Sequence, residues 1–306
     1  MKQYIIRRAG YSLLSLFLLS LTIFLFVRVT GDPTSLLTEP GASPDDIEAM
    51  RHQFGLDQPL WIQYWHFIVS FMTGDFGQSF YYRTPVLDLY FQRLPNSLLL
   101  AAVAMGLSLL IGIPSGILAA VRVDRFWDSA GKIFALLGLS LPQFWVGLVL
   151  ILVFSVYLGW LPSSGSGTFL HLLMPAFTLG WYFAAAHMRM TRSSMLEVLG
   201  SEYVKLARLK GLPESLVIGK HALKNALIPV ITLAGINLVV MINVAVVVET
   251  VFAWPGIGRL LYEGVTFRDF PVVQAVVVIG GSMIILVNLL VDILYALIDP
   301  RIRLES

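Results

Sequence analysis

The sequence contains no cysteine and little charge, and both shortages narrow what the chain can be. Without cysteine, disulfides, zinc–thiolate centres, iron–sulfur clusters and thiol nucleophiles are excluded. Charged residues make up only 13% of the chain, about half of the roughly 25% that a soluble domain uses to cover its surface. Hydrophobic residues make up 57%. We therefore expect much of the surface to contact lipid, and the net charge of +2 gives no support to a nucleic-acid partner.

Motifs for nucleotide binding, catalysis and metal binding are also missing. No Gly-x-x-x-x-Gly-Lys-Ser/Thr phosphate loop occurs, so any ATP that drives this protein should bind to another chain. The 5 histidines show no i,i+3 or i,i+4 pairing, which argues against a metal site within one helix. Asp75-Phe76-Gly77 spells the metal-binding triplet of protein kinases, but the accompanying kinase motifs are absent and we interpret it as coincidence. We expect no catalytic residue, no metal ligand and no cofactor in this chain.

Several apolar stretches are long enough to cross a membrane as helices of about 20 residues. They cover residues 9–29, 98–121, 133–157, 169–187, 227–248 and 272–297. Most of the 21 lysines and arginines lie on one side of these stretches, the side that holds both ends of the chain. Positive charge accumulates in cytoplasmic segments, so we expect both termini in the cytoplasm. The predicted fold class is an all-α membrane protein with six transmembrane helices.

Glycine and proline interrupt three of the predicted spans. Gly112 and Gly116 form a small-xxx-small pair around Pro114, Pro142 interrupts the third span, and Pro175 interrupts the fourth. Small residues let helices approach closely, and proline frees a backbone carbonyl that a neighbour must satisfy. This pattern is typical of a bundle that packs tightly and also flexes, although static bundles contain it too.

Residues 31–97 form the longest segment that is predicted to lie outside the membrane. Ser43 and Pro44, followed by two aspartates, are typical of a helix start, and this helix should stop before Gly55. A second helix should follow Pro59, carry tryptophan and tyrosine suited to a membrane interface, and end at Gly74. The predicted domains are the N-terminus with the first span (1–30), the outer helical region (31–97) and a five-span core (98–306).

Three asparagines lie inside predicted spans, namely Asn237, Asn243 and Asn288. Polar groups in the membrane are candidates for lining a substrate path, while hydrogen bonding between helices is the simpler interpretation. An ion-coupled secondary transporter would need carboxylates inside the membrane, and spans two to five contain none. An intramembrane enzyme would need a nucleophile paired with a base at one depth, and no such set occurs.

The loop 188–226 carries seven cations yet alternates apolar and charged residues at helical spacing. Gly211-Leu212-Pro213-Glu214 reads as a helix stop followed by a helix start. The pattern therefore predicts a helix, a sharp turn, a short helix and a further helix that leads into the fifth span. Short amphipathic helices of this kind insert into the groove of a partner protein or lie along the membrane surface, and the pattern alone favours neither.

Longer motifs in this loop carry a family resemblance. They are Glu202-Tyr-Val-Lys-Leu-Ala207-Arg-Leu-Lys-Gly211-Leu-Pro213 and His221-Ala-Leu-Lys-Asn225-Ala-Leu-Ile-Pro229. The loop resembles the ATPase-docking loop of ABC importer permeases with the type I fold, in particular the peptide, glutathione and nickel branch. Further matches run in order along most of the chain: Gly31-Asp32-Pro33, Leu56-Asp57-Gln58-Pro59, Gly74-Asp75-Phe76-Gly77, Gly159-Trp160-Leu161-Pro162, Thr191-Arg192, Trp254-Pro255-Gly256-Ile257-Gly258 and Asp299-Pro300-Arg301. The literal Glu-Ala-Ala triplet of the general motif is absent here.

The resemblance implies which residues of the loop face the ATPase. The implied docking residues are Glu202, Tyr203, Ala207, Arg208, Lys210, Gly211, Leu212, Pro213, Glu214, His221 and Asn225. Gly211 should adopt a left-handed backbone conformation that a side chain would strain.

The resemblance also implies a set of partners. A similar but non-identical permease subunit should complete a heterodimer, two ABC ATPases should carry ATP and Mg²⁺, and a periplasmic or lipid-anchored binding protein should deliver the substrate. The complex should lie in the bacterial inner membrane, with this chain as a multi-pass subunit that is not itself an enzyme. Di- and oligopeptides are the leading substrate class, followed by glutathione and by nickel or its chelates.

Residues 249–264 are too irregular to cross the membrane, because Trp254-Pro255-Gly256 breaks the helical pattern. We expect this segment to fold back into the outer mouth of the protein. Its predicted role is an outer gate, formed by Glu249, Phe252, Trp254, Pro255 and Gly256.

Overall fold

The computed structural model describes residues 2–29, 43–53 and 55–298, and these are almost entirely helical. In chain order the helices are α1 (Lys2–Val29), α2 (Pro44–Gln53), α3 (Leu60–Thr73), α4 (Val86–Val121), α5 (Phe126–Ser140), α6 (Gln143–Leu150), α7 (Phe169–Leu199), α8 (Glu202–Leu209), α9 (Glu214–Leu216), α10 (Leu223–Val244), α11 (Val246–Val251), α12 (Ile257–Thr266) and α13 (Phe270–Ile298). A π-helix, Ile151–Tyr157, continues α6, and another, Val217–Ala222, joins α9 to α10. The predicted all-α fold is confirmed.

The described residues contain 5 helices that are long and apolar enough to cross a membrane, or up to 6 if one bent pair counts as a span. The bent pair consists of α5 and the continuous stretch Gln143–Tyr157, which meet at 104°. Leu141 is extended because a residue before proline avoids the helical region, and Pro142 has no N–H to continue the helix. The predicted interruption at Pro142 is confirmed, but it is a sharp bend rather than a local kink.

Two helices extend beyond the apolar stretches that were predicted as membrane spans. α4 begins at Val86 rather than at residue 98, and its 36 residues make it about 54 Å long, well beyond the roughly 30 Å of a hydrocarbon core. α7 runs through Pro175 to Leu199 without ending near residue 187. The first helix of the predicted loop is therefore the continuation of a membrane span.

The chain forms two compact units, and the first comprises Met1–Pro95 and Arg259–Ser306. Here α1 packs along α13, with the Leu19 side chain occupying the space beside Gly281. Ser20 Oγ and Tyr64 Oη, 2.9 Å apart, join α1 to α3. The bounds of α2 and α3 confirm both helices predicted for the outer region, and Gly74 ends α3 in the left-handed conformation at φ 75°.

The second unit, Asn96–Gly258, is built around α7. A Cβ at Gly112 would lie 2.8 Å from the Ala184 carbonyl oxygen, and one at Gly116 would lie 2.7 Å from the Met188 carbonyl oxygen. Only glycine permits this approach between α4 and α7. The close packing predicted from the small-xxx-small pair is therefore confirmed.

Candidate functional site

The segment 202–225, named here the docking segment, consists of α8, a turn, α9 and the π-helix that leads into α10. One side of α8 is packed inward, where Val204 and Ala207 meet Val217 in an apolar cluster. The opposite side carries Leu206 and Leu209, whose residues are 53% and 84% exposed. Small apolar side chains on one side of α8 thus pack the helix against the rest of the segment, and large apolar side chains on the other side are exposed.

The turn after α8 has the geometry of a Schellman motif. The Leu212 N–H donates to the Ala207 carbonyl at 3.4 Å, and the Gly211 N–H donates to the Arg208 carbonyl at 2.9 Å. Gly211 has φ +75°, so the predicted left-handed conformation is confirmed. Leu212 packs against the Val204 cluster, which is the apolar contact that usually accompanies this motif.

Two side-chain pairs fix the turn from either side. Arg208 Nη2 and Nε donate to the two carboxylate oxygens of Glu214 at 2.7 and 3.2 Å, and this pairing raises the pKa of Arg208. Asn225 Nδ2 donates to Tyr203 Oη at 2.7 Å, which joins α10 to α8. These four predicted docking residues therefore interact within the segment, so they position it.

The remaining predicted docking residues divide between surface and interior. Glu202, Lys210, Gly211 and Pro213 are exposed, whereas Ala207 is buried and Leu212 and His221 are half-buried. The segment also exposes three large apolar side chains, Leu206, Leu209 and Leu216, which were not predicted as docking residues. For Leu206 and Leu209, the position opposite Val204 and Ala207 on the short amphipathic helix α8 was the signal that could have identified them.

Two of the three span asparagines lie in the second unit and one lies in the first. Asn237 Nδ2 lies 3.3 Å from His187 Nε2, and His187 Nδ1 lies 3.2 Å from Ser108 Oγ, so this chain of contacts joins α10, α7 and α4. Asn243 donates to the Val239 carbonyl in its own helix. Asn288 is exposed on α13, in the other unit. The role of all three in a path remains a prediction, and His187 was not identified from sequence.

The segment between α11 and α12 is a turn that is hydrogen-bonded to Asn96, the first residue of the second unit. Asn96 Nδ2 donates to the Pro255 carbonyl at 2.9 Å, and Trp254 Nε1 donates to the Asn96 carbonyl at 3.0 Å. Phe252 and Trp254 are buried in the main apolar cluster of this unit. The predicted break at Trp254-Pro255-Gly256 is confirmed, although residues 257–264 of the predicted irregular segment are helical in α12. The fold-back into the outer mouth and the role as a gate stay predictions.

A buried carboxylate lies beneath this turn. Glu249 is fully buried and accepts a hydrogen bond of 2.6 Å from Ser97 Oγ, which in turn accepts one of 2.8 Å from the Ile257 N–H at the start of α12. A side chain at Gly256 would overlap the Glu249 carboxylate. Glycine at this position is therefore a steric requirement of the buried acid.

Replacing Ser97 by alanine should lower the stability of the protein, because it removes one hydrogen bond to the buried Glu249 carboxylate and leaves the buried Ile257 N–H without its side-chain acceptor. We expect the free energy of unfolding to fall by about 1–3 kcal/mol, the usual effect of leaving a buried polar group unsatisfied. Chemical unfolding in detergent micelles measures the change. The control is Ser115→Ala in the same helix, where the hydroxyl donates to the carbonyl of Ile111, four residues earlier. Equal loss in both variants would contradict a special role for Ser97.

In the first unit, a second polar cluster fixes the segment that precedes α4. Tyr82 Oη donates to Glu263 Oε2 at 2.6 Å, and Ser79 Oγ donates to the buried Asp269 at 2.5 Å. Burial, together with the Glu263 carboxylate, raises the pKa of Tyr82 to about 12. These contacts join residues that are 181 and 190 positions apart, and no local sequence pattern indicated them.

Comparison with known proteins identifies the family. The family described as "Binding-protein-dependent transport system inner membrane component" matches residues 112–304, and the one described as "Binding-prot-dependent transport system membrane comp, N-term" matches residues 1–101. The glutathione transport system permease protein GsiC of Escherichia coli (strain K12) is 43% identical over 304 residues, 99% of each chain. The protein of the same name from Shigella flexneri serotype 5b shows the same identity and coverage.

Two solved structures share the fold at low sequence identity. A crystal structure of an amino acid ABC transporter with histidines has a TM-score of 0.52 and 16% identity, covering 70% of this chain and 94% of that chain. The MetNI methionine ABC transporter in an inward-facing conformation has a TM-score of 0.51 and 20% identity, covering 67% and 97%. Because both family descriptions match and identity to permease subunits is 43% along the full length, the chain belongs to the binding-protein-dependent transport family: it is a multi-pass inner-membrane permease subunit of an ABC importer.

Proposed function

We propose that this chain forms half of a translocation path for short peptides, with glutathione, itself a tripeptide, as the first substrate to test. The proposal is supported by similarity to glutathione permeases over 99% of the chain. A nickel complex is the alternative substrate. The described residues contain no group of three His, Asp or Glu that could hold a metal ion, so they offer nothing that favours the alternative.

The partners proposed are a second, similar permease, two ABC ATPases that bind ATP and Mg²⁺, and a substrate-binding protein outside. Both termini and the docking segment lie in the cytoplasm in this arrangement. The main support for these partners is the Schellman turn at Gly211, which fixes the short helix α8 with Leu206 and Leu209 exposed. An apolar helix face of this kind suits a hydrophobic groove on a partner. Closure of the two ATPases on ATP would then move the docking segment and, through α10, the spans.

Leu209→Asp should release the ATPases from the complex. Burying one leucine stabilises an interface by about 1.5–3 kcal/mol, so we expect affinity to fall roughly 10- to 100-fold. The measurement is the amount of ATPase that co-purifies with the tagged permease. The control is Lys205→Asp, which places an aspartate on the same helix at an exposed position, where Lys205 pairs with Glu202 at the surface. Retention of the ATPases by Leu209→Asp would argue against this surface as the docking site.

The substrate is tested in proteoliposomes that contain the complete importer, with the binding protein outside. Radiolabelled glutathione, a dipeptide and nickel are compared for ATP-dependent uptake. We expect uptake of glutathione or the dipeptide and none of nickel. Uptake of nickel alone, or uptake that continues without ATP, would overturn the proposed function.

A further inference from the structure

The second unit contains a groove of about 840 Å³ between α5, α7 and α10, within the roughly 300–1,000 Å³ of small-molecule sites. Three cationic side chains line it, Lys132 on α5 and Arg189 and Arg192 on α7. Most of the remaining lining is apolar and includes three leucines: Leu136, Leu139 and Leu233. None of these residues belongs to the docking segment or to the turn above Glu249.

The cations lie at one end of the groove, and the leucines of α5 extend away from them. α5 and α7 run antiparallel, because two glycines of α5 pack in reverse order along α7: Gly131 against Met188 and Gly138 against Ala185. Lys132 and Arg192 are level with each other, since both pair with Asp128. Leu139 lies about two turns farther along α5. The groove therefore has a charged end and an apolar end.

One of the three cations has no carboxylate partner. Lys132 Nζ and Arg192 Nε lie 2.8 and 2.7 Å from Asp128, and Asp124 lies 4.0 Å from Lys132. Arg189 is exposed and pairs with no carboxylate in the part of the chain that the structure describes. Three positive charges thus meet two negative ones, which leaves a surplus of one positive charge at this end of the groove.

All three cations have accessible surface, so a ligand can reach them. The Lys132 side chain is 54% exposed and that of Arg192 is 23% exposed. Arg192 binds Asp128 through Nε and Nη2, and Asp128, itself 0% exposed, fixes both cations from the protein interior. Two cations held in this way next to an unpaired arginine are suited to a phosphate group.

The charged end of the groove lies at the level of the membrane surface. Arg189 follows about 20 residues of α7, the length that crosses a hydrocarbon core. Trp127 is exposed at the start of α5, and tryptophan is enriched at the membrane–water interface. Leu136, which is also exposed, lies farther along the same helix. Basic pockets between membrane helices at this depth bind the headgroups of anionic lipids.

We infer that this groove binds an anionic glycerophospholipid such as phosphatidylglycerol, with its phosphate on Arg189, Lys132 and Arg192 and an acyl chain along the leucines. The surplus of one positive charge matches a headgroup with one net negative charge. A zwitterionic headgroup adds an ammonium group that this surplus charge repels. A phosphate ion would leave the apolar end uncovered. The bound lipid would join α5 to α7, the span that leads into the docking segment, whatever the transported substrate is.

The test uses the assembled importer, with both permeases and the ATPases, in phosphatidylcholine nanodiscs. A small fraction of phosphatidylglycerol carries a photoactivatable diazirine on its acyl chain, and mass spectrometry locates the crosslinks. We expect crosslinks at the three leucines of the groove. Arg189→Gln should weaken phosphatidylglycerol binding about 10- to 100-fold, the effect of losing a hydrogen bond between charged groups. Phosphatidylcholine with the same diazirine chain is the reference lipid. Equal labelling of the leucines by both lipids, or no labelling of them, would overturn the proposal.

Matched variants separate the site from general effects. Arg122→Gln removes an exposed arginine that does not line the groove and should leave crosslinking unchanged. Ser193 is exposed and lines the groove, so Ser193→Glu adds a negative charge beside the cations and should reduce labelling as strongly as Arg189→Gln. Ser193→Gln has the same size without the charge and should keep most of the labelling. Equal loss in both Ser193 variants would contradict a phosphate at this end.

Competition distinguishes the lipid from other occupants of the groove. An excess of unlabelled phosphatidylglycerol should displace the labelled lipid, and an excess of phosphatidylcholine should not. Displacement by glutathione or a dipeptide would identify a substrate site, and displacement by inorganic phosphate would identify a site for free anions. Either result would overturn the lipid assignment. Peptide uptake by the same importer in proteoliposomes tests the proposed function separately.

Discussion

Asp128→Ala is expected to lower the free energy of unfolding by about 3 kcal/mol, the lower end of what the loss of one partner of a buried ion pair produces. The Asp128 side chain is 0% exposed and lies 2.7 Å from Arg192 Nε and 2.8 Å from Lys132 Nζ. Its second oxygen also accepts hydrogen bonds from Arg192 Nη2 and from the Asp124 N–H. Removing the carboxylate leaves these donors unsatisfied. Because Arg192 is 23% exposed and reaches water, we expect the lower end of the range.

A matched control lies four residues away. Asp124 also approaches Lys132, at 4.0 Å, but its side chain is 87% exposed. Because Asp124 has φ +58°, a conformation that asparagine tolerates better than alanine does, the control is Asp124→Asn, which should change stability by less than about 1 kcal/mol. Both variants are compared by chemical unfolding in detergent micelles. Equal stability of the two variants would show that the Asp128 cluster does not join α5 to α7 as its geometry indicates.

Local structure outside the spans could be predicted from sequence with good accuracy. The start of α2 at Pro44, its end before Gly55 and the end of α3 before Gly74 all follow from capping rules. Gly211 was predicted as a left-handed residue and has φ +75°. These features depend on a few neighbouring residues, and glycine and proline carry most of the signal.

The polar pairs that hold the second unit together could not be predicted. Ser97 and Glu249 are 152 positions apart, and Asp128 and Arg192 are 64 apart. Each residue alone fits several positions in a helix, and only the packing of the helices selects its partner. The length of α4 was missed for a related reason, because apolarity identifies the part of a helix in lipid but not its continuation beyond the membrane.

In the docking segment, some features could be predicted from sequence and others could not. The resemblance indicated its position, and turn chemistry indicated its shape. The division between residues that position the segment, such as Arg208 and Glu214, and residues that it exposes, such as Leu209, required the contacts themselves. Among the charged residues predicted to face a partner, Arg208 pairs with Glu214 and Glu202 pairs with Lys205. Their contact with a partner stays a prediction, and the exposed leucines join it.

Gly211→Val should uncouple ATP hydrolysis from transport. Gly211 has φ +75°, and a Cβ there would meet nothing within 4 Å, so any effect comes from the backbone. A β-branched residue at positive φ is strained by about 1–3 kcal/mol. Relief of this strain would reorient Leu212 and the start of α9. On the proposed function, we expect ATP hydrolysis to continue while uptake in proteoliposomes falls about 10-fold, the effect of a strain of roughly 1.4 kcal/mol.

Two variants separate backbone strain from added bulk at the docking surface. Gly211→Asn adds a side chain that tolerates the left-handed region, so uptake should stay near that of wild type. Gly219→Val places the same bulk at an exposed glycine of the π-helix, where φ is ordinary and the space is also open. If Gly211→Asn fails as badly as Gly211→Val, the added side chain rather than the conformation is responsible. If Gly211→Val transports normally, the left-handed turn does not transmit ATPase motion to α10.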